Sequence, residues 1–183
     1  GALSREIPKP MIKISGKPIL AHQIENLKRY GITDIVLLTH HLSDVIEDYF
    51  GNGEKFGVNI SYFKEKEPLG TAGALKEVEN LLDDDFLVLY GDVMIDVNFK
   101  RLSDFHSDKG SSCTLVIHPS DHPYDSDLVE IDADGRVIAF YPKPHDDKKY
   151  YHNMVNAALY MMSPRIFDYI EKGVSADLGR NVF

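Results

Sequence analysis

The stretch VNISYFKEKEPLGTAGALKEVENLLDDDFLVLYGD, residues 58–92, predicts a strand, a helix and a second strand in succession. The segments 58–65 and 86–90 are short runs rich in apolar and aromatic residues, and the segment 71–82 between them has the composition of a helix. FLVLY (86–90) shows no polar alternation, which is typical of a strand that helices cover on both faces of a parallel sheet. The stretch therefore predicts an α/β fold.

The same alternation extends to both sides of this stretch. The segment 19–30 places Leu20, Ile24, Leu27 and Tyr30 on one helical face, and Gly31 follows at the position of a left-handed cap. The same criteria predict four further elements: a strand at 34–40, a helix at 43–51, a helix at 98–110 and a strand at 113–117. We therefore predict a doubly wound, mostly parallel mixed sheet with helices on both faces.

A different pattern follows residue 120. The segment 128–141 predicts two strands around a turn at Ala133-Asp134-Gly135, because glycine tolerates the positive φ of a tight hairpin. A strand is predicted at 156–162, and a helix at 163–173 that begins at Ser163-Pro164 and ends at Gly173. With no linker or internal repeat in the sequence, we expect residues 1–183 to form one domain.

Composition and charge exclude several functions. The chain of 183 residues is 43% hydrophobic and carries a formal net charge of -9, which argues against a surface that binds nucleic acid. Its apolar runs are too short for a membrane span, and no charged start followed by an apolar stretch suggests a secretion signal, so we expect no membrane association and a cytoplasmic location. The single cysteine, Cys113, lies in an apolar run and is interpreted as a core residue rather than a nucleophile.

Gly91 and Asp92 come directly after the FLVLY strand. In open parallel sheets ligands bind beyond the carboxyl ends of the strands, where a glycine lets a ligand approach the backbone and an aspartate suits Mg²⁺. An ordinary turn would also begin with these two residues.

Gly70, Thr71, Ala72 and Gly73 begin the helix of the opening stretch. A flat ring or a ribose could lie against this backbone near the amide-rich start of the helix. Alternatively, Thr71 is the N-cap and the small residues permit close packing. The residues alone leave both interpretations open.

Two Pro-Lys-Pro triplets place Lys9 and Lys143 between prolines. Each following proline disfavours the helical region for the lysine, so we expect both lysines to be extended, with their ammonium groups displayed for phosphate. The alternative is two solvated loop lysines.

The order of IPKPM (7–11), GKPIL (16–20), PLGTAGAL (68–75), LYGD (89–92), YPKPH (141–145) and NAALY (156–160) resembles the nucleotidyltransferases that join a sugar 1-phosphate to a nucleoside triphosphate. The likeness extends over nearly the whole chain and implies their Rossmann-like, GT-A-like fold. The stretch from His118 to Lys143 looks most like the branch that transfers guanylyl groups to mannose 1-phosphate or heptose 1-phosphate.

The resemblance implies a role for each matching residue. Lys9 and Asp92 would be catalytic, with Mg²⁺ on Asp92. The nucleotide would lie against Leu69, Gly70, Thr71 and Gly91, while Lys143 would bind the sugar phosphate and Asn156 the sugar, beside the predicted hairpin. The substrates would be a nucleoside triphosphate and a sugar 1-phosphate, and the product a nucleoside diphosphate sugar of the kind used in polysaccharide biosynthesis.

The sequence departs from the family pattern in two ways. Pro142 stands where the family usually has a glutamate, and Asp127 where it usually has a glycine. In addition, the family's Gly-Gly-x-Gly-Thr-Arg loop would precede Leu3, and a second metal-binding aspartate would follow Phe183. We therefore expect a chain that lacks the first strand and a C-terminal part.

Two other functions are consistent with these features. A non-catalytic homologue could bind nucleotide sugars and regulate a partner, and a GT-A glycosyltransferase could use GDVMID (91–96) as its metal motif. PLGTAGAL and the two lysines disfavour the glycosyltransferase. The sequence leaves a homo-oligomer open.

Overall fold

The computed structural model describes residues 7–146 and 148–183, which fall into two compact units. The first unit contains the described residues up to Pro68 together with 89–109, and the second contains 69–88 and 110–183. The single domain over residues 1–183 stays a prediction.

The described residues contain four α-helices and nine strands, which alternate from α1 to β6. In chain order they are β1 (Lys13–Ile14), β2 (Lys17–Pro18), α1 (Ile19–Arg29), β3 (Asp34–Thr39), α2 (Ser43–Phe50), β4 (Asn59–Lys64), α3 (Gly70–Glu77), β5 (Phe86–Leu89), α4 (Phe99–Lys109), β6 (Cys113–Pro119), β7 (Leu128–Ile131), β8 (Val137–Tyr141) and β9 (Met154–Met162). Shorter helical turns include Lys9–Met11, Glu79–Leu81, Pro164–Tyr169 and Leu178–Val182.

The first unit is built on a parallel strand pair. β3 and β4 pair in register from Asp34 opposite Asn59 to Thr39 opposite Lys64, and α2 connects them. Apolar side chains of α1, α2, β4 and the residue before β4 form the core with Met11: Leu20, Ala21, Ile24, Ile46, Phe50, Val58 and Ile60. The predicted helix at 19–30 is confirmed, and Gly31 has the expected positive φ of 78° just beyond its end.

The second unit contains a five-stranded sheet. Its strand order is β5-β9-β7-β8, and β6 also pairs with β9, from Cys113 opposite Met162 to Pro119 opposite Met154. The pairs β6/β9, β7/β8 and β7/β9 are antiparallel, and the predicted hairpin at 128–141 is confirmed. Together with the parallel pair of the first unit, these registers confirm the mixed α/β class.

The predicted helix at 163–173 is wrong in type and length. The chain forms a short 3₁₀ helix, Pro164–Tyr169, and is extended again at Ile170 (φ -121°, ψ 120°). The hydrogen bonds from Ile166 N–H to Ser163 O at 3.0 Å and from Ile170 N–H to Phe167 O at 3.2 Å each span three residues, as in a 3₁₀ turn. The helix predicted at 71–82 also ends early, at Glu77, and continues as the turn Glu79–Leu81.

Cys113 begins β6 and is partly buried. Burial raises the pKa of its thiol to about 12, because the thiolate would lose its hydration there. The thiol is therefore protonated at neutral pH, in agreement with a core residue rather than a nucleophile. Within the described residues, no helix combines the length and apolarity needed to cross a membrane.

Candidate active site

Lys9 and Asp92 meet in the first unit, just beyond the end of β5. The Lys9 ammonium lies 3.5 Å from Asp92 Oδ2, and the two side chains are 65% and 34% exposed. An exposed ion pair of this kind contributes at most about 1 kcal/mol to stability. The pair therefore exposes a cation and a carboxylate to solvent. A ligand that bound either group and broke the ion pair would lower the stability of the fold only slightly.

The backbone at Lys9 differs from the prediction. Lys9 is the first residue of the 3₁₀ turn Lys9–Met11, so the extended loop predicted for it is wrong. Met11 N–H donates to Pro8 O at 2.8 Å, and Ile12 N–H donates to Lys9 O at 3.1 Å. Pro10 fits in this turn because the amides at the start of a helical turn need no intrahelical acceptor. The predicted display of the ammonium is nevertheless observed.

Gly91 brings the Pro-Lys-Pro triplet close to Asp92. A Cβ atom at Gly91 would lie 3.1 Å from Pro10 Cγ and 3.5 Å from Pro10 Cβ. A side chain there would crowd the proline ring, so the absence of one allows the turn that carries Lys9 to pack against this backbone. Gly91 was expected to let a ligand approach the backbone, but on this side it is Pro10 that packs against it.

Gln23 holds the loop that carries Asp92, a role that the sequence did not predict. Its side chain is buried (6% exposed), and Nε2 donates to Tyr90 O at 2.9 Å and also to Val93 O. These two carbonyls lie on either side of the Gly91-Asp92 dipeptide. The available signal was a polar residue on the apolar face of α1, three residues after Leu20 and four before Leu27.

The GKPIL stretch is fixed to α1 by an ion pair. The Lys17 ammonium lies 2.6 Å from Glu25 Oε1, and this hydrogen bond holds the pKa of the Glu25 carboxyl below its ordinary value. Because both side chains are partly exposed, the pair adds little to stability, and its main effect is to fix the position of β2 on α1.

Asp92 fits a metal that substrate phosphates also hold. Mg²⁺ in proteins is commonly bound through one or two carboxylates, with waters and substrate phosphates completing its coordination. Asp92 is partly exposed, and no group of three or more His, Cys, Asp or Glu residues suited to a metal occurs among residues 7–146 and 148–183. The donor set therefore suits Mg²⁺ shared with phosphate rather than a cage built by the protein, and the metal role of Asp92 stays a prediction.

The start of α3 in the second unit is covered by residues 174–178, which we call the C-terminal strap. Ala72 N–H donates to Ala176 O at 2.8 Å, and Thr71 N–H donates to Asp177 Oδ1 at 3.3 Å. Leu178 N–H donates to Thr71 Oγ1 at 2.9 Å, and Ala176 N–H to Leu69 O at 2.8 Å. The strap thus satisfies amides that helix starts leave without partners.

The contact with the C-terminal strap bears on the two interpretations of Gly70 to Gly73, a ligand surface or an N-cap with close packing. The helix begins at Gly70 with Leu69 as its N-cap residue, so Thr71 is not the N-cap. Cβ atoms at Gly70 and Gly73 would lie 2.5 Å from Ala176 O and 2.7 Å from Val174 O, so close packing against the strap requires both glycines. A nucleotide-binding role for Leu69, Gly70, Thr71 and Gly91 stays a prediction.

Gly70→Ala is expected to lower the free energy of unfolding by about 3 kcal/mol, the sum of a left-handed backbone penalty and a clash with Ala176 O. Gly173→Ala is the matched control, because Gly173 has nearly the same φ (74° against 72°) with nothing within 4 Å of its added Cβ. The control should lose only about 1–2 kcal/mol. Urea denaturation of both variants checks the difference, and equal losses would contradict the strap contact.

Lys143 lies in a bend after β8, in the second unit. Its backbone N–H donates to Asp127 Oδ1 at 3.1 Å, and its ammonium donates to Asp125 O at 2.9 Å. Arg180 Nη2 donates to the backbone oxygen of Lys143 at 3.2 Å, so a second cationic side chain contacts the backbone at this lysine. Asn156 N–H donates to Asp127 O at 2.9 Å. The two residues assigned to the sugar phosphate and the sugar therefore share Asp127 as a neighbour.

Asn156 shapes its own strand. Its Oδ1 accepts the Ala158 N–H at 3.1 Å, its Nδ2 donates to the Tyr160 hydroxyl at 2.6 Å, and the register with β6 shifts at this point. Ala158 has a φ of 55°, which is strained for a residue with a side chain. The strained backbone lies next to the predicted sugar-binding residue.

Ala158→Gly is expected to stabilise the protein by about 0.5 kcal/mol, since relief of the left-handed strain exceeds the entropy that glycine adds to the unfolded chain. Ala157→Gly, one residue earlier in β9, should instead destabilise it by about 0.5–1 kcal/mol. Thermal denaturation of the two variants tests the opposite signs. Destabilisation by both would show that the strain at Ala158 is not significant.

The fold and the Lys9–Asp92 pair define a class of α/β proteins in which an ammonium group and a carboxylate meet beyond the end of a sheet strand, where phosphate groups could bind. The chain belongs to the nucleotidyl transferase family, whose profile matches residues 2–181.

Three relatives illustrate the likeness. Mannose-1-phosphate guanyltransferase 2 of Candida glabrata is 38% identical over 175 residues, covering 92% of this chain and 48% of that protein. UTP--glucose-1-phosphate uridylyltransferase of Synechocystis sp. is 32% identical over 195 residues, covering 99% and 50%. The crystal structure of HddC from Yersinia pseudotuberculosis complexed with GMP-PN superposes with a TM-score of 0.81 at 26% identity, covering 96% of this chain and 75% of that one.

These likenesses confirm the resemblance found in the sequence and the fold class. The chain spans about half the length of the two curated relatives named here.

Proposed function

We propose that this protein transfers a nucleotidyl group from a nucleoside triphosphate to a sugar 1-phosphate, giving a nucleoside diphosphate sugar and pyrophosphate. The observation that carries the proposal is the Lys9–Asp92 pair beyond the end of β5. Family membership supports it, since the relatives named above are a guanyltransferase and a uridylyltransferase that act on sugar 1-phosphates.

The reaction is an in-line displacement. An oxygen of the sugar phosphate attacks the α-phosphorus, a new P–O bond forms, and the bond to pyrophosphate breaks with the electron pair leaving on pyrophosphate. Both substrates are polyanions, so the barrier lies in charge repulsion and alignment more than in proton transfer. Lys9 contributes positive charge at the reacting phosphates through an ammonium that is already displayed.

Asp92 would hold Mg²⁺, which when bound neutralises phosphate charge and polarises phosphoryl oxygens. The chain's own contribution is the fixed position of the carboxylate, because Gln23 binds the backbone carbonyls on both sides of it. Lys143 would bind the phosphate of the sugar 1-phosphate, with Arg180 adjacent, and Asn156 would hydrogen-bond the sugar. The resemblance implies nucleotide contacts for Leu69, Gly70, Thr71 and Gly91, and this assignment is part of the proposal.

A guanine nucleotide with mannose or heptose 1-phosphate is the pair we favour. The 38% identity to a mannose-1-phosphate guanyltransferase supports this choice, as does the likeness to an HddC structure that contains GMP-PN. The cytoplasmic location and the homo-oligomer stay predictions.

The test is a matrix of nucleoside triphosphates against sugar 1-phosphates, with release of pyrophosphate as the readout and the full-length protein as the enzyme. We expect one pair to give a nucleotide sugar with turnover well above the others. If no pair releases pyrophosphate while nucleotide sugars bind, the non-catalytic regulator replaces this proposal. If sugar is instead transferred from a nucleotide sugar to an acceptor, the glycosyltransferase function replaces this proposal.

A further inference from the structure

Asp127 is a partly exposed carboxylate located between Lys143 and Asn156, and the reaction described above gives it no role. Its Oδ1 accepts the Lys143 backbone N–H, and its backbone oxygen accepts the Asn156 N–H. One residue therefore contacts both segments assigned to the sugar 1-phosphate.

The strand register explains this central position. Leu128 in β7 pairs with Tyr141 of β8 on one side and with Val155 of β9 on the other, and both pairs are antiparallel. One step back along β7, Asp127 therefore lies opposite Pro142 and Asn156. Pro142 has no N–H and an apolar ring, so it offers no hydrogen bond to a sugar hydroxyl from its side chain or its amide.

The carboxylate retains unused acceptor capacity. An ionised carboxylate offers about four acceptor positions, and the Lys143 N–H occupies one on Oδ1. A Cβ atom added at Gly179 would lie 3.3 Å from Oδ2 and 2.9 Å from Phe140 Cε1, so Gly179 and the Phe140 ring pack closely on this side of Asp127. Asp127 is nevertheless partly exposed, which leaves its carboxylate accessible to a ligand from solvent.

The charges around Asp127 match the two ends of a sugar 1-phosphate. The Arg180 guanidinium donates to the Lys143 backbone oxygen, so two residues with cationic side chains belong to this segment, and a phosphate has the opposite charge. Asp127 brings an anion that accepts hydrogen bonds strongly from hydroxyl groups but repels another carboxylate. The same arrangement would disfavour a sugar that carries an acid group.

We propose that Asp127 is a specificity-determining residue that accepts hydrogen bonds from hydroxyl groups of the sugar 1-phosphate, so that the site selects neutral sugars over uronic acids. The inference rests on the proposed function, because Lys143 and Asn156 are assigned to the sugar 1-phosphate there. It adds the chemical class of sugar and the residue that recognises it.

The test compares Asp127→Asn with Asp125→Asn in the full-length protein. Both changes remove one negative charge within the same loop, and Asp125 contributes only its backbone oxygen to Lys143. KM and kcat are measured for the best neutral sugar 1-phosphate of the matrix and for the corresponding uronic acid 1-phosphate.

We expect Asp127→Asn to raise KM for the neutral sugar about tenfold while kcat changes little, as for loss of a charge-assisted hydrogen bond made equally in ground and transition states. The preference for the neutral sugar over the uronic acid should also fall about tenfold, since the asparagine does not repel a carboxylate. Asp125→Asn should match the unmodified protein in both measurements.

The outcomes separate this inference from the proposed function. If the unmodified protein makes nucleotide sugar and the two variants behave alike, Asp127 has only the structural role of fixing the bend at Lys143, and the inference is overturned while the function stands. If no product forms, calorimetric titration of the unmodified protein and of both variants with the sugar 1-phosphates tests the inference through binding alone. Binding weakened by Asp127→Asn alone supports the inference without the activity, and an equal effect of both variants or no binding overturns it.

Discussion

In the full-length protein, Asp92→Asn is expected to lower kcat by about a hundredfold to a thousandfold. The amide keeps the shape of the side chain but loses the negative charge that would hold Mg²⁺ against the substrate phosphates. Stability should barely change, because the side chain is partly exposed and its ion pair with Lys9 spans 3.5 Å. The measurement is pyrophosphate release at saturating substrates, together with a thermal unfolding curve.

Asp96→Asn is the matched control for this prediction. Asp96 is exposed and lies four residues further along the same loop, so its substitution removes the same charge from nearly the same place. We expect the control to keep nearly full turnover. If Asp92→Asn also keeps it, the metal role of Asp92 is rejected, and loss of activity in both variants would indicate a general charge effect in the loop.

Much of the fold could be predicted because local patterns determine it. The helix at 19–30 has a continuous apolar face and a glycine at its end, and the structure places α1 at Ile19–Arg29. The segment 163–173 has apolar residues with spacings of three and four, so the sequence alone did not distinguish an α-helix from a 3₁₀ helix. Ile166, Phe167 and Ile170 are all buried, and the Phe167 ring stacks on Phe86 of β5, a contact distant in sequence that the local pattern does not encode.

The part of the site whose residues directly follow a strand in the sequence could be predicted. Gly91 and Asp92 come next after the predicted strand, and the structure shows Asp92 in contact with Lys9. The partners of the helix start at Gly70 were not predictable, because the C-terminal strap lies about a hundred residues further along the chain. No local pattern encodes a pairing between segments so far apart in sequence.

The two Pro-Lys-Pro triplets are similar in sequence but differ in structure. Lys9 begins a 3₁₀ turn with its ammonium beside a carboxylate, whereas Lys143 lies in a bend with its ammonium on a backbone carbonyl. Stiff flanking prolines therefore did not dictate one backbone conformation. The direction of each ammonium group follows its neighbour within the same unit. That neighbour is the Asp92 carboxylate in the first unit and the Asp125 backbone oxygen in the second.

Lys9→Met is expected to lower kcat about a hundredfold, with little change in the KM for the sugar 1-phosphate. Methionine keeps an unbranched side chain of similar length but removes the positive charge that the reacting phosphates would need as negative charge moves toward pyrophosphate. Lys9→Arg should recover part of the loss, because the charge remains while the planar guanidinium cannot match a compact ammonium. Lys13→Met, an exposed lysine four residues later, is the control and should leave kcat unchanged.

The double variant Lys9→Met/Asp92→Asn separates a catalytic pair from a structural one. If Lys9 and Asp92 act on the same phosphates, the double variant should lose less activity than the product of the two single losses, because residues that act as a unit are not additive. If the pair only fixes the loop, each single change should lower thermal stability along with activity, and the double variant should add no further loss of either. A Lys9→Met enzyme with unchanged kcat would remove Lys9 from the reacting centre.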